Sequence, residues 1–494
     1  MAARRERTEV ADSQQGADRR QPNLLYIHSD QHNPAVTGCY GDSLVETPHL
    51  DGLAARGVRC TEVYCPSPVC VASRMAMLAG QYPSDIEVWT NSHMLDPGVP
   101  TLAHAMGAAG YRPVLAGRMH AIGSDQLHGY AERPIGDHSS NWPGSGDTPK
   151  KMTANLERAG AGQSSYEVHD DDVTAEAVHF LNRLGVGRRA GLAQEPFSLT
   201  VGLMLPHDPY LARRQGYDWY RQRIGPPTVR DPFDNDLHPF IRWWRERNGW
   251  QAVSDEWVLG ARAAYWALVS AMDSMIGQIL QALTDNGLAE NTLVVYSSDH
   301  GDQMGEHDLW MKRTFYEGSV RVPAILAWPG VLPEGAVCGR VMSALDLNAT
   351  MLEALAAPPL PNSRGHSALE LLRAEGEGEW EDVALSEYAL KEGVVQRMVR
   401  KDEWKLIYHW KQRPQLFNVA EDRLEQTDRA EDPSCRGIVE ELTGRALDGW
   451  DPENVAQRLQ ERCRESEMIR DWARQTKAPE QFRWEAQPEM TFKE

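Results

Sequence analysis

Four apolar runs lie far apart in the chain, and each stops at an ionisable residue or pair. Leu24-Leu25-Tyr26-Ile27 runs into Ser29-Asp30-Gln31, and residues 111–116 run into Gly117-Arg118-Met119-His120. Residues 197–205 form a continuous apolar stretch ending at Pro206-His207, and residues 293–297 end at Asp299-His300-Gly301. Each run has the length and content of a buried strand. Helical segments separate them. Thr47-Pro48 starts one that Gly57 ends, and residues 71–79 read as a helix stopped by Gly80. Residues 102–109 close at Gly110, residues 170–184 keep helical periodicity, and residues 257–286 close at Gly287. Strands alternating with helices imply an α/β fold: a large, mostly parallel sheet sandwiched by helices. Ligands of such sheets bind at the carboxyl ends of the strands. Asp30, Arg118, His120, His207, Asp299 and His300 are therefore expected to meet at one sheet edge.

At 494 residues the chain is long enough for one large domain and one smaller one. After about Pro358 the texture changes. Residues 375–381 are a Gly/Glu run, followed by short strand-like pieces at 383–388, 394–400, 404–409 and 415–419. These predict a small C-terminal antiparallel sheet beside a late helix. The expected division is a disordered polar leader over 1–20, a catalytic domain over 21–375 and a C-terminal subdomain and tail over 376–494. Residues 213–257, rich in Trp, Tyr, Arg and Pro, are expected to form an excursion over the active-site edge. No stretch of 18 apolar residues exists and no signal-peptide core precedes residue 20, so the expectation is a cytoplasmic protein without a membrane partner. A net charge of −20 argues against nucleic acid, while a small anion can still enter a local cationic pocket. Seven cysteines are too few for a disulfide framework, and the gaps among Cys39, Cys60, Cys65 and Cys70 are wider than zinc knuckles use.

The segment Cys70-Val71-Ala72-Ser73-Arg74, running on to Gly80, resembles the signature of the type I sulfatases of the alkaline phosphatase superfamily. Further blocks follow in family order between Pro22 and Val419: residues 23–31, Pro100-Thr101-Leu102 through His120, Pro206-His207-Asp208-Pro209-Tyr210, Ser298-Asp299-His300-Gly301, and Trp310-Met311-Lys312. Residues 123–133 are similar to choline sulfatases and to sulfatase-like hydrolases in general. Two positions depart from the pattern. Ala72 stands where Pro is usual, and Arg118 stands where Lys is usual, exchanging a point charge for a planar fork.

The resemblance implies an alkaline-phosphatase-like fold and hydrolysis of a small sulfated, or phosphorylated, organic substrate. It implies that a maturation enzyme oxidises Cys70 to formylglycine, and that one divalent cation is bound by Asp30, Gln31, Asp299, His300 and position 70. Calcium is the usual metal of the family. His300 is an imidazole where many members have Asn, which brings in manganese or magnesium. Arg74 is expected to hold the aldehyde hydrate and the metal shell, Arg118 the sulfate, His207 with Lys312 the leaving group, and His120 the second step. His28 and His32 flank Asp30 and are weaker ligand candidates. Trp142, Trp243, Trp244, Trp250 and Trp310 are candidates for an aromatic cage around a quaternary ammonium group. Three rivals stay open: a phosphonate monoester or phosphodiester hydrolase using the same site, a binding protein with unconverted Cys70, and thiol catalysis by Cys70. Whether the chain forms a homo-oligomer stays open too.

Overall fold

The computed structural model describes residues 21–144, 152–192, 195–230 and 237–494. The leader expected over residues 1–20 lies outside the described residues. Seven strands form the main sheet in the order β3-β5-β1-β7-β8-β2-β9. They are β1 (Asn23–Asp30), β2 (Val58–Tyr64), β3 (Arg112–Gly117), β5 (Phe197–Pro206), β7 (Thr292–Ser298), β8 (Arg321–Ala327) and β9 (Ala336–Ser343). A three-stranded patch combines β4 (Gly160–Gln163), β6 (Leu211–Ala212) and β14 (Phe492–Lys493). The C-terminal sheet runs β10 (Val383–Leu390), β11 (Val394–Lys401), β12 (Trp404–His409), β13 (Gln415–Asn418) in that order, antiparallel throughout.

In the main sheet β3, β5, β1 and β7 are adjacent and parallel, and β8 runs antiparallel between β7 and β2. The expected large, mostly parallel sheet and small antiparallel sheet are both present. Every residue of β1, β5 and β7 is buried, because helices cover both faces of the sheet; these strands therefore read as continuous apolar runs. The helix Asp255–Asp285 supplies much of that cover, and it starts where Ser254 accepts the Trp257 N–H. The helix Cys70–Ala79 is buried along its whole length and ends at Gly80 (φ 67°), as its sequence predicts. The helices Arg436–Leu447 and Pro452–Thr476 pack on the C-terminal sheet.

Parallel pairing aligns the carboxyl ends of β3, β5, β1 and β7. β1 ends in Asp30, and the last residues of β3, β5 and β7 lead directly into Arg118, His207 and Asp299. β2 points the same way, and the chain returns from its end into the helix that opens with Cys70. Among the described residues no helix is long and apolar enough to cross a membrane.

Candidate active site

The residues from the four strand ends and the Cys70 helix converge on one buried cluster. Asp30, Cys70, Asp299 and His300 each place a donor atom within 4.8 Å of the others. Arg74, one turn into the helix, lies beneath them and bridges the two carboxylates: Nε donates to Asp299 Oδ2 at 2.7 Å and Nη2 to Asp30 Oδ2 at 3.2 Å. Its remaining N–H groups reach Ser29 O at 3.0 Å, Arg118 O at 3.2 Å and His28 Nδ1 at 3.4 Å. Arg118 Nε donates to Asp30 Oδ2 at 2.5 Å, and its Nη2 to His120 Nδ1 at 2.8 Å. Burial pushes the Asp30 carboxyl up, but Arg118, His207 and Arg74 outweigh it and hold the group ionised, well below the usual carboxylate range.

Lys312 also borders Cys70. Its Nζ contacts Cys70 Sγ at 2.8 Å, Gln31 Oε1 at 2.8 Å and His207 Nε2 at 2.9 Å. Burial opposes the charge of Lys312, and the negative groups at position 70 and Asp30 restore it, so its pKa is raised. His207 Nδ1 donates to the Asp208 carbonyl at 2.5 Å. Burial and Lys312 pull His207 down, and Asp208 with Asp30 more than offset them, leaving it above the ordinary histidine value. Only one of Lys312 and His207 can donate along their 2.9 Å contact, so the pair holds one mobile proton next to position 70. His120 sits beside Cys70 in the left-handed region (φ 59°). Burial and Arg118 keep its pKa low. Arg118 fills its Nδ1 lone pair, so the neutral ring presents an Nε2–H to position 70.

His300 carries the clearest sign of a metal site. Its Nδ1 lies 3.0 Å from the Gly301 carbonyl, an atom that only accepts. Nδ1 therefore carries a proton, and Nε2, whose lone pair is free in that tautomer, points inward, 3.8 Å from Asp30 Oδ1, 3.7 Å from Asp299 Oδ1 and 3.3 Å from Cys70 Sγ. A lone pair aimed at two carboxylates fits a cation between them, and the backbone bond is the orienting contact that metal-bound histidines use. Two hard oxygens, one imidazole and position 70 suit a divalent ion. Gln31 is differently placed. Its amide oxygen accepts from Lys312 and its NH2 donates to Asp302 at 2.7 Å and Asp208 at 3.2 Å, so the side chain ties Lys312 to those acids. His28 accepts from Arg74, and His32 bonds Tyr296 Oη at 2.6 Å and Val36 O at 3.1 Å; both serve the scaffold.

Three contributors escape the sequence reading. Asp302 accepts from Gln31, from Tyr210 Oη at 2.6 Å and from the Met304 and Met311 N–H groups, closing the loop that carries Lys312. Asp137 accepts from both Met119 N and His120 N. Tyr166 lies 5.6 Å, ring to ring, from His207 at the half-open side of the site. The five tryptophans do not join into one cage by ring contacts. Trp142 pairs with Trp472, Trp310 with Tyr210, and Trp243, Trp244 and Trp250 pack around Phe240 and one another. The excursion meets the loop after β7: Thr228 and Val229 N–H groups donate to Glu306, and Arg245 bonds the His307 carbonyl.

Comparison with known proteins agrees with this geometry. The sulfatase family model matches residues 22–357, and the model of the N-sulphoglucosamine sulphohydrolase C-terminal region matches residues 305–449. The chain belongs to the sulfatase family and is a hydrolase of that family. It is 32% identical over 439 residues to the choline-sulfatase of Rhizobium meliloti (strain 1021), covering 85% of this chain and 84% of that one. It is 27% identical to arylsulfatase K of Gallus gallus, covering 83% and 79%. Among solved structures, the phosphonate monoester hydrolase of Agrobacterium radiobacter superposes with a TM-score of 0.71 at 21% identity, covering 86% of this chain and 95% of that one. A 2-O GAG sulfatase superposes with a TM-score of 0.69 at 24% identity, covering 90% and 94%.

Proposed function

We propose that this site hydrolyses a sulfate monoester to an alcohol and sulfate, with position 70 as nucleophile after oxidation of Cys70 to formylglycine by a maturation enzyme. The observation that carries the reading is Cys70 at the focus of Lys312, His300 and Asp30, 2.8, 3.3 and 3.9 Å from its sulfur. The hydrated aldehyde supplies two hydroxyls on one carbon: one attacks sulfur as the sulfur–oxygen bond to the alcohol breaks, and the other gives its proton to the departing sulfate as the carbon–oxygen bond breaks and the aldehyde re-forms. A divalent cation supplies neutralisation of the sulfate oxygens when bound by Asp30, Asp299, His300 and position 70. Calcium is the common ion of the family, and the His300 imidazole brings manganese or magnesium into the set to be tested. Gln31 would support this set through Lys312 and the second row of acids.

The chain's own groups account for the remaining chemistry. Arg74 locks the two carboxylates in one geometry. Arg118, whose Nε holds Asp30, sets a cation beside the sulfate position. The Lys312–His207 pair protonates the leaving alcohol from the half-exposed side. His120 assists the second step by hydrogen bonding to the side chain at position 70. A plain thiol or hydroxyl at 70 lacks the second hydroxyl and would stop after one transfer. The substrate is a small sulfated organic molecule. Kinship with a choline-sulfatase makes a sulfated amino alcohol the first ester to try.

The test compares kcat/KM on matched aryl sulfate and aryl phosphonate esters, with mass spectrometry of the Cys70 peptide and metal analysis of the native protein. Sulfate turnover with a formylglycine mass at position 70 is expected. Faster phosphonate turnover would reassign the substrate to the second ester class, and an unmodified thiol with no turnover would reduce the chain to a binding protein.

A further inference from the structure

β3 is an edge strand of the main sheet, and its open side is not left bare. Residues 131–135 run along it: Ala131 N–H donates to Pro113 O at 2.8 Å, Leu115 N–H to Glu132 O at 2.9 Å, and Gly117 N–H to Ile135 O at 2.9 Å. This run ends in Asp137, which is 1% exposed. Asp137 Oδ2 accepts from Met119 N at 2.9 Å, His120 N at 2.5 Å and Arg133 Nη2 at 3.2 Å. Oδ1 accepts from Ser139 N at 2.9 Å and lies 3.5 Å from Arg118 Nη1. One buried carboxylate thus holds the Arg118 guanidinium and the backbone of His120. A non-glycine residue in the left-handed region, as His120 is, needs such an external hold.

The loop is in turn gripped by the end of the chain. Asp137 N–H donates to Phe482 O at 2.9 Å, and Trp484 N–H donates to Asp137 O at 2.8 Å. Glu480 accepts from Ser140 Oγ and, at 3.0 Å, from Asn141 N; Asn141 Nδ2 donates to Gln481 O at 3.0 Å. The approach is close enough that a Cβ on Gly136 would lie 1.4 Å from Phe482 O. The Trp484 ring stacks on His138 at 5.7 Å and meets His169 edge-on at 5.3 Å, while its Nε1 donates to Asp172 at 2.8 Å. His138 touches Tyr166, which borders His207.

We infer that residues 480–484 complete the active site in cis: by pairing with Asp137 they fix the positions of Arg118 and His120, so that Asp137 and this terminal segment are positioning elements of the hydrolase. The inference rests on the proposed reaction only for its kinetic arm. Burial pushes the Asp137 carboxyl up, and Arg118 and Arg133 pull it further down, so it stays ionised as the arrangement requires. Displacing the segment leaves the sheet intact and shifts two groups that face the sulfate position. Shifts of an ångström at such groups cost on the order of 10- to 100-fold.

The test uses full-length Gly136→Ala, Trp484→Ala and Trp484→Phe. Arg214→Ala, which removes only surface pairs to Glu494 and Asp218, is the control. Two quantities are read: kcat/KM on an aryl sulfate and the dissociation constant of inorganic sulfate by calorimetry. Gly136→Ala and Trp484→Ala are expected to lose about tenfold or more in both while still unfolding cooperatively. Trp484→Phe, which keeps the ring contacts, should recover most of the loss, and Arg214→Ala should stay within about twofold. If Gly136→Ala fails to fold, Trp484→Ala decides alone, since its ring is part-exposed. Wild-type values in Trp484→Ala for both quantities overturn the inference. A wild type that turns over no ester, but whose sulfate affinity falls in the variants, upholds the positioning role and overturns the proposed reaction instead.

Discussion

Replacing Arg74 by lysine keeps the charge and removes the geometry. Arg74 is fully buried, and its planar fork reaches five acceptors: Asp299, Asp30, the Ser29 and Arg118 carbonyls, and His28. A lysine ammonium placed near one carboxylate cannot bridge both in the same plane. Asp30 or Asp299 then loses a charge-assisted bond, and at least one buried carbonyl goes unpaired. At about 1.5–3 kcal/mol for each bond to a charged group, the loss is about 3 kcal/mol after the retained Coulomb attraction is allowed for. If that loss falls on the transition state it equals about 100-fold in kcat/KM. The assay is kcat/KM of Arg74→Lys on an aryl sulfate, with metal content measured on the same sample. Arg74→Ala, which leaves two buried carboxylates without their shared cation, should be worse and should lower the unfolding midpoint. An Arg74→Lys protein with full metal content and wild-type kcat/KM would refute the claim that bidentate bridging, rather than charge, organises the site.

Cys70→Ser should complete at most one turnover, seen as a protein mass increased by one sulfo group after incubation with substrate; steady turnover would remove the need for a second hydroxyl. His207→Ala should slow alkyl sulfates about 10²- to 10³-fold more than nitrophenyl sulfates, because only the poor leaving group needs a proton; equal losses would take the leaving group away from His207. Asp346 gives a pH prediction away from the site. Burial raises its pKa to about 7, against the N–H groups of His366 and Ser343. The folded state then holds the proton more tightly than the unfolded chain, so stability falls as pH rises from about 4 to about 7 and is lower above that window, by up to about 4 kcal/mol. Urea midpoints of wild type should fall between pH 5 and 8 relative to Asp346→Asn; parallel curves would show that Asp346 titrates normally.

The ends of β1, β3, β5 and β7 were legible because each is a buried apolar run broken by an ionisable residue, and parallel pairing does the rest. β8 and the edge strand β9 were not read, since neither ends in a chemical marker. β2 alternates as Val58-Arg59-Cys60-Thr61-Glu62-Val63 and lacks a continuous apolar run. Asp137, Asp302 and Tyr166 escaped for a different reason. An aspartate in a polar turn has the same sequence appearance whether it faces solvent or collects several buried N–H groups, as Asp137 does. The pairing of residues 482–484 with the Asp137 loop spans more than 340 positions and leaves no local pattern. The partners of the five tryptophans were not legible, because aromatic content does not specify which rings meet.

The polarity of the site also resolves an apparent conflict in the composition. A chain of net charge −20 is a poor long-range attractor for an anion. Yet around position 70 the structure sets three buried cations, Arg74, Arg118 and Lys312, against Asp30 and Asp299, which they contact directly. Neither carboxylate is left to face an incoming sulfate unscreened. Asp30 gives one oxygen to the two arginines and turns the other toward His300 and Lys312, which is the division of labour a carboxylate needs in order to be held rigid and still ligate. The same arrangement gives a physical reason for Cys70 to begin a buried helix. Rigid backbone places position 70, and the surrounding charges, not the surface, decide what can bind there.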